Sequence, residues 1–259
     1  MATQFSINDH KPWKARFFTI WGGQAISIIG SQLVQFALIW YLTVQTGSAT
    51  VLATASLVAL LPNVILGPFV GTLVDRWDRR RIMLVSDTII TLVSIGLAVL
   101  FALDAVEVWH IYVVMFIRAF FGSFHTNAMA ASTSLMVPVE HLTRIQGVNQ
   151  MLNGGLNVIS APLGALLLGV LPMQGVLAID VFSAVFAIVP LLFTRIPQPD
   201  RHTGLRGNEG QETIWQGVKS GLRYVTGWPG LLIVSLMTVG INFTIIPAFS
   251  LMPLLVKEY

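Results

Sequence analysis

A few charged and amide side chains sit inside long apolar runs, and these are the residues with chemistry to offer. Arg118 lies well inside the run 109–136. A guanidinium does not titrate in proteins, so its use there is to tune or pair with a carboxylate. Asp180, at comparable depth in the run 175–194, is the candidate partner, and the two charged groups are expected within about 8 Å. The plainer alternatives are an arginine snorkelling to the interface and an aspartate capping a helix turn. His125 falls on the helical face of Arg118. An imidazole there could relay protons, although a packed, hydrogen-bonded histidine is the plainer reading. Asp87 is expected to pair with the nearby arginines at 76–81.

Amides form a second set. Asn149, Asn153 and Asn157 recur at helical spacing, within about 80° of one another, and Ser160 and Gly164 continue the stripe. Gln24, Ser31, Gln32 and Gln35 form a similar group near the start. Such stripes line polar cavities or serve as glue between helices. No HExxH, GxSxG or phosphate-binding glycine loop occurs and the five histidines are scattered, so neither an enzyme nor a metal site is expected. With no cysteine, disulfide and thiolate chemistry are excluded. No cofactor is implied.

The elements that carry these residues follow from composition. The chain of 259 residues is 54% hydrophobic and 10% charged, against roughly 25% charged in soluble domains. From Phe17 to Val74 there is no Asp, Glu, Lys or Arg. A bilayer core takes about 20 apolar residues per helix, so this stretch holds two spans. Continuous runs without alternation exclude barrel strands and require helices. Spans are expected at 17–42, 49–74, 82–103, 109–136, 147–171, 175–194 and 229–252. The first is too long for a signal h-region and lacks a clear cleavage site. All but Arg118 and Lys257 of the 15 Lys and Arg fall before the first span or in alternate connections. That bias places the N-terminus in the cytoplasm. The net charge of +3 by itself says nothing about nucleic acid, and no nucleic-acid partner is expected; what matters is where the positive charges sit. Residues 195–228 begin as a Pro- and Gly-rich linker. They continue as an amphipathic helix, with Thr213 and Gln216 fitting a capping box and Ile214, Trp215, Val218, Leu222 and Val225 on one face. It lies on the membrane surface or packs on protein.

Between the second and third spans the chain reads Gly71-Thr72-Leu73-Val74-Asp75-Arg76-Trp77-Asp78-Arg79-Arg80-Arg81. This resembles the signature loop G-x-L-x-D-R-x-G-R-R of the major facilitator superfamily, with Asp78 in place of a glycine. A turn of positive φ, which tolerates Asp, accounts for the exchange. Gly71 is expected to admit a neighbouring helix and Asp75 to meet a helix N-terminus. The resemblance implies a cytoplasmic latch of Gly71, Asp75, Arg76, Arg79 and Arg80; plain anchoring to the anionic inner leaflet is the alternative, favoured for Arg80 and Arg81. Ser48-Ala49, Leu61-Pro62, Gly67-Pro68, Ser86-Asp87, Val137-Pro138-Val139-Glu140 and Ile179-Asp180 resemble the drug and proton antiporter branch that includes macrolide efflux proteins and the enterobactin exporter. Arg118 and Gly122 match the family's R-x-x-x-G pattern, which implies that Arg118 faces the cavity and shares in proton coupling. Ala161-Pro162-Leu163-Gly164 resembles the antiporter motif only loosely.

The expected fold is all-α and polytopic. It comprises a six-helix N-terminal bundle over 1–194 built as a 3+3 inverted repeat, a linker over 195–228, and a seventh span within 229–259. The expected function is proton-coupled efflux of amphipathic small molecules by alternating access, in a bacterial plasma membrane. Its partners are the lipid bilayer, protons and the substrate. A non-transporting scaffold or partner subunit is the alternative. Seven spans where the family has twelve read as a truncation or a missing C-terminal half, so the chain alone is not expected to transport.

Overall fold

The computed structural model describes residues 13–194, 196, 214–241 and 245. The helices are α1 (Trp13–Thr46), α2 (Ala49–Arg76), α3 (Arg79–Ala102), α4 (Val108–Met136), α5 (Val139–Val170), α6 (Met173–Phe193) and α7 (Ile214–Gly227). A further helix, α8, spans Pro229–Ile241. There is no strand among the described residues. Helices α1 to α6 are each long and apolar enough to cross a membrane.

Local chemistry sets the breaks. Gly47, at φ 58°, ends α1 in a conformation that costs glycine little. The Ser48 hydroxyl then accepts from the Val51 N–H to start α2. Asp104 adopts φ 52° after α3, a left-handed position that Asp tolerates. Pro138 and Pro172 precede α5 and α6, where a missing N–H leaves no helical bond unmade.

The expected connection 137–146 is shorter than the sequence implied. Helix α5 begins at Val139 and not at 147, so only Val137 and Pro138 interrupt the path. Glu140 in its first turn favours an early start, because a carboxylate complements the positive end of the helix dipole. Helix α7 confirms a helix before Gly227, and it lies against α2. Thr213 of the expected capping box lies outside the described residues, as do most of the linker and the end of the seventh span beyond Ile245. Between α7 and α8 the path bends by 104°, and among the described residues the two are long and apolar enough to span a membrane as one bent pair.

The packing shows the repeat. Helix α1 packs along α6 as α4 packs along α3, α2 packs on α4 as α5 packs on α1, and α3 meets α6. Advancing each label by three regenerates the same set of contacts. Three spans are an odd number, so the second copy crosses the bilayer in the opposite sense.

Two apolar clusters fill the bundle. One joins Val34, Leu38, Leu42, Leu52, Leu97, Ile111, Met115 and Leu177. The other joins Phe17, Ile20, Val70, Val74, Met83, Ala128, Met136 and Leu191. On α1, α3, α4 and α6 alike, the residues between these clusters include buried polar ones: Gln24, Asp87, Ser94, Arg118, Asp180 and Ser183. The outer faces are apolar, with Leu57, Val64, Leu92, Phe182 and Phe193 among the exposed residues. In water such a surface would aggregate, whereas in a bilayer it meets acyl chains.

Candidate functional site

The polar layer is assembled around an ion pair. Arg118 Nη1 lies 2.6 Å from Asp180 Oδ2, and both residues are buried. The two approach as their depths along α4 and α6 implied. Neither alternative describes them: Arg118 does not reach an interface, and the Asp180 carboxylate is spent on other helices. Ser31 donates to Asp180 Oδ1 at 3.0 Å, and Ser94 donates to Oδ2 at 3.0 Å. The Ser94 hydroxyl also accepts from Arg118. Four helices, α1, α3, α4 and α6, thus converge on one carboxylate. Gly30 makes this possible. A Cβ there would collide with Ser183 Oγ and stand 3.1 Å from Asp180 Cα, so only glycine lets α1 come this close to α6.

A second pair lies in the same layer. His125 Nε2 stands 3.4 Å from Asp87 Oδ1, and Gln24 Nε2 donates to Asp87 Oδ2 at 3.2 Å. Asp87 does not pair with the loop arginines. Arg79 is turned towards α4 and Arg80 towards α6, while Asp87 lies two turns deeper on α3. Sequence alone hides this pairing, because four arginines nearby in the chain offer Asp87 an easier partner. Depth was the available signal. At about 1.5 Å per residue, Asp87 lies roughly 12 Å from the start of α3, and His125 roughly 16 Å from the end of α4, on the same side. His125 is not a fully satisfied core histidine, since its buried Nε2 makes no hydrogen bond.

Both pairs border a cavity of about 440 Å³. Gln24, Ser31, Gln32 and Gln35 line it, together with Asn63, Asp87, Arg118, His125 and Asp180. The amides of α5 are placed elsewhere. Asn149 accepts a 2.7 Å hydrogen bond from the Trp21 indole. Asn153 bonds back to the Asn149 carbonyl, and Asn153 and Asn157 are exposed. Helix α5 touches the bundle mainly through α1, which leaves the rest of its stripe outside this cavity. For Asn149 the glue reading describes the contact.

The loop between α2 and α3 is tied to the bundle. Asp75 stands 3.5 Å from Arg79, one turn on. Buried Arg79 donates to the Ala131 carbonyl of α4 at 3.3 Å. Arg80 is no plain lipid anchor. It donates to the Leu191 and Leu192 carbonyls at 2.5 Å each, where a cation satisfies orphan acceptors at the end of α6. Arg76 closes the last turn of α2. Among the described residues Gly71 admits no neighbouring helix, for none of their atoms lies within 4 Å of a Cβ placed there. The contact face of α2 is that of buried Val70 and Val74, and Gly71 is turned away from it. Asp78 does not adopt positive φ either. At φ −68° and ψ 112° it caps α3, its carboxylate accepting from the Arg81 N–H at 2.9 Å. An N-cap side chain, not backbone freedom, explains Asp at this position.

Comparison with known proteins places this geometry in a family. The chain is 38% identical over 254 residues to Macrolide efflux protein A of Streptococcus pyogenes, an alignment covering 98% of this chain and 62% of that protein. It is 36% identical over 214 residues to Macrolide efflux protein A of Enterococcus faecalis, covering 82% of this chain and 64% of the relative. The Bacillus subtilis transporter YfiS, described as an uncharacterized MFS-type transporter, is 23% identical over 221 residues, covering 85% and 51%. The chain therefore spans less than two thirds of the length of these relatives. No solved structure matches it. The family model of the Major Facilitator Superfamily matches residues 20–259. That match covers the signature loop, both charged pairs and the helices that hold them, and this membrane protein belongs to the Major Facilitator Superfamily.

Proposed function

We propose that this chain forms the N-terminal bundle of a proton-coupled exporter of amphipathic small molecules, macrolides among them. The observation that supports it most is the buried charged layer on a cavity between two apolar clusters. Burying Arg118, Asp180, Asp87 and His125 in one bundle costs stability, and such intramembrane charges are retained for transport pathways and proton relays. A purely structural bundle needs none of them. Arg118, Asp180 and His125 serve proton coupling: Arg118, a permanent cation, tunes Asp180, and each conformation favours a different protonation state of Asp180 and His125. Gln24, Ser31, Gln32 and Gln35 orient the substrate in a cavity within the size range of drug sites, about 300–1,000 Å³. The loop of Asp75, Arg76, Arg79 and Arg80 latches one access state at the cytoplasmic face. The protein sits in the bacterial plasma membrane with its N-terminus in the cytoplasm, following the Lys/Arg bias.

The test expresses the chain in a macrolide-susceptible bacterium. It is expressed alone and together with the part of the Streptococcus pyogenes relative that it does not cover. Accumulation of a labelled macrolide is measured with and without a protonophore. Lower accumulation in either arm, abolished by the protonophore and by Arg118→Leu, is expected. Unchanged accumulation in both arms, with the chain present in the membrane, would favour the non-transporting scaffold.

A further inference from the structure

Helix α7 combines two cations with an apolar edge. From Ile214 to Ile241 the chain holds two charged residues, Lys219 and Arg223, both basic. They lie one turn apart, about 40° from each other around the helix axis. Leu222 and Val225 form an apolar edge centred about 110° from that pair. Lys219, Leu222, Arg223 and Tyr224 are exposed, and Val225 is half-buried. Among the described residues of α1 to α6, those of α2 are the ones that α7 meets. Helix α2 has a single carboxylate, Asp75, and it faces Arg79. Among the described residues neither Lys219 nor Arg223 forms an ion pair.

The bend sets how α7 lies. Helix α8 carries no charge, and the path turns by 104° between the two helices. With α8 directed into the bilayer, a turn so close to a right angle lays α7 along the membrane surface. Tyr224 and Trp228 stack at the turn with ring centroids 5.9 Å apart, and both are exposed. Such rings favour the headgroup level. With its apolar edge towards the acyl chains, α7 points the cations beside that edge along the surface at the same level. Their long stems carry the charge to phosphate while covering apolar surface.

We infer that α7 docks on anionic lipid headgroups, with Lys219 and Arg223 pairing their phosphates while Leu222 enters the acyl boundary. A net-neutral surface meets the apolar edge equally well but leaves two positive charges unmatched. An anionic surface satisfies both features. The docking holds the path between the six-helix bundle and α8 against the membrane. It is independent of the exporter reading, since it needs neither a substrate nor a proton.

The test uses the full chain in nanodiscs of equal parts phosphatidylcholine and phosphatidylglycerol. The chain has no cysteine, so Thr226→Cys takes a single fluorophore within one turn of Arg223 and two of Lys219. One lipid or the other carries brominated acyl chains, and quenching reports which of them neighbours the label. Phosphatidylglycerol is expected to be favoured by roughly 30-fold at low salt, about fivefold for each basic side chain. The preference falls towards one in 1 M salt, where the Debye length is about 3 Å. Lys219→Gln with Arg223→Gln removes it, and Lys219→Arg with Arg223→Lys keeps it. A control label at Leu103→Cys, exposed at the far end of α3, shows none. Equal quenching by the two lipids at low salt, an unchanged preference in the double glutamine variant, or the same preference at Leu103 would each overturn the proposal. Quenching by neither lipid would overturn it too, because α7 would then be covered by protein. Both exchanged side chains are exposed, so the variants are expected to fold as the parent does.

Discussion

At the scale of single residues, Asp180 joins four helices at one carboxylate. It is buried at 2% exposure and faces a guanidinium and two hydroxyls. Replacing it with Asn leaves Arg118 charged and uncompensated. The expected cost is about 3–5 kcal/mol, as for other broken buried pairs. Arg118→Leu with Asp180→Asn removes both charges, and this double variant should be more stable than Asp180→Asn alone. Thermal unfolding of the four proteins in one detergent measures the coupling as a double-mutant cycle. A double variant no more stable than Asp180→Asn would mean that the pair is not what holds these helices together.

At the scale of elements, the start of α3 explains a departure from the family's loop. The family's pattern has glycine where Asp78 stands, and the structure uses Asp78 as an N-cap. Among cap residues Asp is strong, Gly costs only a few tenths of a kcal/mol, and Ala costs about 1 kcal/mol. Asp78→Gly should therefore be nearly silent and Asp78→Ala destabilising by about 1 kcal/mol. The measurement is the unfolding midpoint, supported by amide exchange over residues 79–83. Equal losses for Gly and Ala would show that the carboxylate matters for something other than the cap.

For the whole molecule, the contact between α1 and α6 joins one end of each repeat. Gly23 and Gly30 lie on that seam, and a Cβ at Gly23 would run into the Phe186 backbone carbonyl. A backbone atom cannot rotate away, so the helices themselves must separate. Gly23→Ala should cost about 1–3 kcal/mol through overpacking. Gly96 of α3 is exposed, with nothing within 4 Å of its Cβ position, and Gly96→Ala should stay within about 0.5 kcal/mol of the parent. Comparing the two melting temperatures isolates the seam from any general effect of removing glycine.

The apolar runs by themselves determined the six spans and the all-α class, because burying backbone in lipid is decided residue by residue along the chain, and the loop over residues 71–81 carried the family resemblance. Depth was also legible, which is why Arg118 and Asp180 were matched from their positions in the sequence. Rotation about each helix axis was not. It is fixed by which small residues let neighbouring helices approach, as Gly23 and Gly30 do for α1 and α6. That rotation turned Asp87 towards His125 and Gln24 and away from the loop arginines, and it left the Asn153 and Asn157 stripe of α5 outside the cavity. It turned Arg80 onto the end of α6, while cap geometry and not chain flexibility gave Asp78 its place. Sequence set how deep each charge lies in the membrane. Only tertiary packing decided which charges meet, because opposite faces of one helix share a depth but never a neighbour.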